Sequence, residues 1–430
     1  VLGQDQRAGG GGSADLPLAD HQTLQGEPRP FRRRVFYIPG YDPFPARRYR
    51  ELYRKESAAQ AAISGYDLAF VRGAVRAEGH YGWSVESRMD GCATRAEIQV
   101  LVWSDIVQAS MGQGILATYG QLLRTVWAYV GSGALFGLMR LRTGPMIAAL
   151  YPIGLLLAEL AVAMLLAWAL AQVLPARPLP VTLALWGAAV WGALWLFRRA
   201  DGRLLGWYLM HDYAFTAKDG GAYPEALSAR LDAFRATLTK ALAEGWDEVL
   251  IVGHSSGAHL GVTLLADLIR AGAVTGGAVK NGAPAIGFLS LGQVVPMVSF
   301  LPGATRLRAD LAYLSARAEL TWVDVTAPGD GCAFALCDPV AVSGMAAAGK
   351  RWPLVLSAAF TQTLSPERWR ALRRRYFRLH FQYLCAFDRP ADYDYFRITA
   401  GPVTLAARYS GRAPSKSRIE TPLNRFGPAR

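Results

Sequence analysis

Histidine, cysteine and acidic side chains are all scarce in this chain. Its 430 residues include six histidines, four cysteines, and 33 Asp or Glu against 46 Lys or Arg, a net charge of +13. Of Cys92, Cys332, Cys337 and Cys385 only the middle two are close, and their spacing fits neither C-x-x-C nor a zinc pattern. That excludes a disulfide framework, and free thiols in a reducing compartment are expected. No zinc-finger or RNP-type signature accompanies the basic surplus, so no nucleic-acid partner is expected. Arginine clusters such as Arg32–Arg34 and Arg373–Arg375 are assigned instead to a membrane surface. The first 30 residues have no apolar run and hence no signal-peptide core. With Gly9 to Gly12 in a row, 1–30 is predicted to be a disordered tail.

What the chain does have is apolar residues, 52 % of the total, and one stretch around which the rest is arranged. Glu248 to Val252 is rich in β-branched residues, as a buried parallel strand would be. Gly253-His254-Ser255-Ser256-Gly257 follows, and Ala258 to Ile269 reads as a helix with Leu260, Leu264, Leu265 and Leu268 apolar. This is G-x-S-x-G between a strand and a helix, the setting that gives the pattern meaning. A serine lifted from so sharp a turn needs flanking residues without side chains. It then stands at a helix N-terminus, where free N–H groups favour developing negative charge. A glycine-rich turn that holds serine by chance is the plainer reading. Ser256 is the rival nucleophile, and the glycine spacing selects Ser255.

On these residues the sequence resembles the α/β-hydrolase superfamily, in its lipase and esterase branch, where Gly-His-Ser-x-Gly is a frequent form. The resemblance implies an α/β fold: a mainly parallel sheet flanked by helices, with no cofactor and no metal. Before the elbow, Val35 to Ile38 reads as a first strand leading into Pro39-Gly40-Tyr41-Asp42-Pro43. In such hydrolases a loop of this kind lends one N–H to the oxyanion hole, and the residue after the nucleophile lends the other. The resemblance puts these donors at Tyr41 (or Asp42) and at Ser256. An ordinary Pro-Gly turn accounts for the first loop equally well.

The triad needs a base after the nucleophile and an orienting acid between them, in the Ser, acid, His order of the superfamily. His80 and His211 precede Ser255, His254 and His259 lie in the elbow, and His21 lies in the tail. His380 remains, with a surface histidine among arginines as its bland reading. For the acid, Asp330 follows the convincing strand Leu320 to Thr326, where open α/β sheets place site residues. Pro-Gly-Asp-Gly is also a good turn, and Asp324 and Asp338 stay open as alternatives.

Between 31–110 and 204–411, both assigned to the hydrolase domain, lies an insertion at 111–203. Ile115 to Leu141 is aromatic and sparsely charged, as an interfacial or re-entrant helix would be. Two runs, about 147–174 and 179–197, are long and apolar enough to cross a bilayer, with Pro175 to Pro180 breaking the helix between them. Ala163, Ala167, Ala171 and Ala184, Ala188, Gly192 form small-residue faces that allow close helix approach. A pair of buried helices in a soluble core is the competing reading. The arginine distribution predicts a two-span membrane protein with its catalytic domain in the cytoplasm. Residues 412–430 are predicted to be a basic disordered tail. The expectation is therefore a membrane-anchored serine hydrolase that cleaves an acyl ester, lipid-like in character. An acyltransferase would use the same groups, and a non-catalytic membrane protein that keeps the fold is the competing class.

Overall fold

The computed structural model describes residues 29–71, 76–77, 80–112, 114–175, 177–202, 204–274 and 283–427. The tail expected over 1–30 lies almost wholly outside the described residues.

The strands are β1 (Phe31–Ile38), β2 (Asp67–Phe70), β3 (Arg76–Ala77), β4 (His80–Met89), β5 (Cys92–Val100), β6 (Glu248–His254), β7 (Ala285–Leu291), β8 (Thr321–Thr326) and β9 (Leu354–Ser357). They form one mixed sheet in the order β2-β4-β5-β1-β6-β7-β8-β9, with β3 paired to β4. Strands β5 through β9 run parallel along this path, and β2 and β4 are antiparallel. The β4–β5 hairpin turns on Asp90 and Gly91, both at positive φ (52° and 77°), as a two-residue turn matched to strand twist requires.

Side chains alternate along β1 with the two-residue strand period. Val35 and Tyr37 join one core with Tyr49 and Tyr53 of the helix Arg47–Ser64. Phe36 and Ile38 join the other, with the helices Glu225–Leu242 and Gly257–Arg270. The sheet is thus covered on both faces, which is why every residue of β6 is buried.

The first arginine cluster is not a membrane patch. Arg33 is fully buried, with Nε 2.6 Å from Glu248 Oε2 and its other nitrogens on the carbonyls of Gly401 and Val403. Arg34 pairs with Glu97 and Gln99 on β5. Adjacent parallel strands offered these guanidinium groups a buried carboxylate in Glu248 and a partly buried one in Glu97. Arg373 to Arg375 do remain exposed.

The insertion forms Ile115–Gly131, Ala134–Met139, Thr143–Val173 and Leu179–Ala200, followed by Gly206–Ala217. The expected single segment over Ile115 to Leu141 is broken at Gly133, whose φ is 75°. The first hairpin helix starts earlier than expected and runs through Pro152. Its 31 residues give a rise of ~46 Å, more than the ~30 Å core of a bilayer. The excess is its first third, where Pro145, Met146 and Pro152 are buried. Both hairpin helices are long and apolar enough to span a membrane, with mean hydropathy 2.3 and 1.6. Their outward faces expose Leu165, Trp168, Val173 and Leu196.

The expected disordered tail after Arg412 is instead laid against the domain through Phe426. Ile419 bridges Cys337, the Ser415 hydroxyl accepts from the Ser357 N–H, and Asn424 Nδ2 donates to the carbonyls of Ser299 and Ser343. Low apolar content suggested disorder, but backbone and amide hydrogen bonds to loop carbonyls hold the strap, and periodicity does not reveal these.

Candidate active site

Ser255 sits at the tip of β6 with φ at 56°, a left-handed conformation that costs a non-glycine residue energy. The turn is tight because the backbones nearly touch. A Cβ on Gly257 would stand 2.1 Å from the Ile38 carbonyl oxygen, and one on Gly253 would stand 2.6 Å from the Gly257 oxygen. A Cβ on Gly40 would stand 2.9 Å from Ser255 Cβ. So the two motif glycines and the glycine after β1 are steric necessities of one junction. The Ser255 N–H donates to Leu291 O at 2.9 Å, which ties the elbow to the end of β7.

The loop after β1 is fixed from several sides. Trp103 Nε1 donates to Pro39 O at 2.9 Å, and the Tyr41 ring packs on Trp103 and Phe215. The Tyr41 carbonyl accepts from the Tyr208 hydroxyl. Asp42 is occupied, accepting from the Tyr49 hydroxyl and the Phe44 N–H. Among the described residues, neither the Tyr41 nor the Ser256 N–H has an acceptor. Tyr41 and Ser256 line one cleft, together with Asp212, Tyr223 and His259, and it is partly open to solvent.

Asp330 and His380 meet although 50 residues separate them: His380 Nδ1 is 2.8 Å from Asp330 Oδ2. Asp330 follows β8 and is 2 % exposed. Burial alone would raise its carboxyl, but the His380 charge and hydrogen bond, the Cys332 N–H and the Tyr383 hydroxyl outweigh it and hold it below the usual range. His380 ends the short helix Tyr376–His380, and its ring lies over the end of β7. A Cβ on Gly292 would stand 3.0 Å from His380 Cε1. With Nδ1 engaged by the acid, Nε2 is the nitrogen left for a substrate or nucleophile. The Ser255 hydroxyl makes no hydrogen bond to a described residue, so the Ser255–His380 contact is not closed. Unliganded sites often leave this bond long.

The alternative residues have other work. Asp324 lies inside β8 against the Ser290 hydroxyl at 2.5 Å. Asp338 caps the N–H groups of Val340 and Ala341 and pairs with Lys350. His259 meets the Tyr223 hydroxyl, His211 meets Gln121, and nothing is described of the His80 side chain.

Three residues gain parts that the sequence reading did not give them. Tyr383 donates to Asp330 Oδ2 at 3.0 Å while accepting from the Ala327 N–H, so it clamps acid to strand end. Its spacing of three from His380 was a usable sign. His254 Nε2 lies 3.0 Å from the His380 carbonyl and, buried, has its imidazole pushed down to about 3. It is therefore a neutral prop for His380. Asp212, in the same cleft as Ser256, had no sequence signal at all.

Asp330, Cys332 and His380 also present atoms within 4.8 Å of one another, a spacing that could hold a metal ion. The acid and imidazole already satisfy each other, and burial pushes the Cys332 thiol well up and disfavours the thiolate a metal needs. No family model, curated protein or solved structure matches this chain.

Proposed function

We propose that the protein is a membrane-anchored serine hydrolase that cleaves an acyl ester. The observation that carries this is the Asp330–His380 pair at 2.8 Å, with His380 against His254 of the elbow and the next residue, Ser255, held at φ 56° between glycines. In this reading Ser255 Oγ attacks the ester carbonyl and passes its proton to His380 Nε2. Asp330 stabilises the resulting imidazolium through Nδ1. The Ser256 and Tyr41 N–H groups take the oxyanion, and a donor of this kind is worth ~3 kcal/mol. Collapse expels the alcohol, which takes the proton from Nε2. Water then repeats the sequence on the acyl-enzyme, and an alcohol in its place would give acyl transfer.

Anchoring is supported by the hairpin. Its second helix is almost wholly unburied, and Trp186, Trp191 and Trp195 lie along it. On the neighbouring helix Ile115–Gly131, Leu116 and Trp127 are 75 % and 79 % exposed. Large apolar side chains left exposed in this number suit lipid rather than water. The test is labelling with a fluorophosphonate probe in detergent. Wild type is expected to label and Ser255→Ala to stay blank while folded. Full labelling of Ser255→Ala, or labelling lost only in Ser256→Ala, would sink the assignment.

A further inference from the structure

We infer that Asp212 recognises the alcohol portion of the ester, and that this portion carries a hydrogen-bond donor, a hydroxyl or an ammonium. The inference rests on the esterase reading above and names its substrate class. The helix Gly206–Ala217 presents Tyr208, Asp212 and Phe215 at i, i+4 and i+7, hence on one face. Tyr208 and Phe215 of that face both touch Tyr41 of the oxyanion loop. Asp212 lines the cleft together with Tyr41 and Ser256. Its carboxylate is only partly exposed, yet it has no hydrogen bond or ion pair to any described residue.

Other buried acids of the domain have donors. Asp310 has Arg270, Asp338 has Lys350, Asp394 has backbone N–H groups, and Glu248 has Arg33. Asp212 is short of one, and burial pushes its carboxyl up to about 7. A cleft carboxylate beside the oxyanion donors would oppose charge developing on the carbonyl oxygen unless something neutralises it. An ammonium on the substrate neutralises it, and a hydroxyl satisfies and disperses it through a hydrogen bond. Asp212 lies within electrostatic reach of His380, which in the esterase reading returns a proton to the leaving alcohol. The donor therefore belongs to the alcohol, as in an ester of a polyol or an amino alcohol. An ester without it leaves the half-buried acid unpaired, and sites of this kind reject such analogues.

The test uses the full chain in detergent micelles with three decanoate esters: 2-hydroxyethyl, 2-(dimethylammonio)ethyl and propyl. The wild type is expected to favour at least one donor ester over propyl by about tenfold or more in kcat/KM. Asp212→Leu should bring that ratio near one. Asp212→Asn keeps an acceptor oxygen without charge, so it should retain a hydroxyl preference and lose an ammonium preference. Equal wild-type rates on all three esters overturn the proposal, as does a preference that persists in Asp212→Leu. If Asp212→Leu does not fold, Asp212→Ala takes its place: a ratio near one supports the proposal, and a ratio unchanged from wild type overturns it. Fluorophosphonate labelling separates the two levels. Labelled protein without donor preference refutes Asp212 alone, whereas no labelling and no turnover refute the esterase reading and this one with it.

Discussion

Gly144, the second residue of the first hairpin helix, packs directly on Gly331, the neighbour of Asp330. A Cβ on Gly144 would stand 3.2 Å from Gly331 Cα. Arg142, just before that helix, donates to the Ala335 carbonyl at 2.8 Å. The apolar hairpin is therefore seated on the loop that carries the acid, so its position bears on Asp330.

Gly144→Val should push the Gly331 backbone by a few tenths of an ångström or more and misplace Asp330 against His380. Misplacement of a catalytic group by 1 Å can cost on the order of a hundredfold, so a fall of about tenfold in kcat is expected, with KM little changed. Stopped-flow or steady-state turnover measures it. An unchanged kcat would mean that the hairpin and the acid loop are mechanically independent.

Removing the acid or the base should act on the same step. His380→Ala and Asp330→Asn are each expected to lower kcat by about a thousandfold or more, and the double variant little further, because triad members act as a unit. Tyr383→Phe should be milder in rate but costly in stability, ~1–3 kcal/mol, since it leaves the Ala327 N–H without its acceptor. Additive losses in the double variant would show that His380 and Asp330 do not work through each other.

Asp324 provides a pH signature in stability. Burial first, and the nearby Asp338 charge, push its carboxyl up to about 8. Between about pH 4 and 8 the unfolded chain has lost this proton while the folded chain keeps it. Stability thus falls as pH rises through that window, by ~1.4 kcal/mol per unit for one group, and levels off above it. Asp324→Asn removes this term and can keep the Ser290 bond. Its melting temperature should exceed the wild type's by more at pH 8 than at pH 5. A difference that does not grow with pH would mean that Asp324 is ionised in the fold.

Much of the sheet and the elbow could be read from local pattern. Strand β6, the turn and the helix after it announce themselves through β-branched runs, glycines and leucine spacing, all of which act within a few residues. Asp330 and His380 are singled out by chain order, and the fold places them 2.8 Å apart. What stayed hidden depends on contacts between distant segments. Arg33 looked like surface charge because Glu248 lies 215 positions away. The strap after Arg412 is held by hydrogen bonds to Ser357 and Cys337 neighbours, and Asp212 became notable only once a cleft existed around it. Gly40 read as part of a turn, whereas its smallness serves Ser255 across the sheet.

The hairpin is expected to place both of its open ends, and so the whole α/β domain, on the cytoplasmic side. Arg140 and Arg142 precede the first helix and Arg198, Arg199 and Arg203 close the second, whereas the connecting turn has Arg177 alone. Short flanks richer in Lys and Arg stay in the cytoplasm. Geometry agrees, since the sheet takes strands from both sides of the insertion and two spans return the chain to the side it left. In a background without the four native cysteines, a cysteine at Pro175 should react with a membrane-impermeant thiol reagent on intact cells. Cysteines at Gly202 and Ser410 should be protected until the cells are lysed. The inverse pattern would turn the protein over. Protection at all three positions would mean that the two helices lie against the membrane or pack with a partner without crossing.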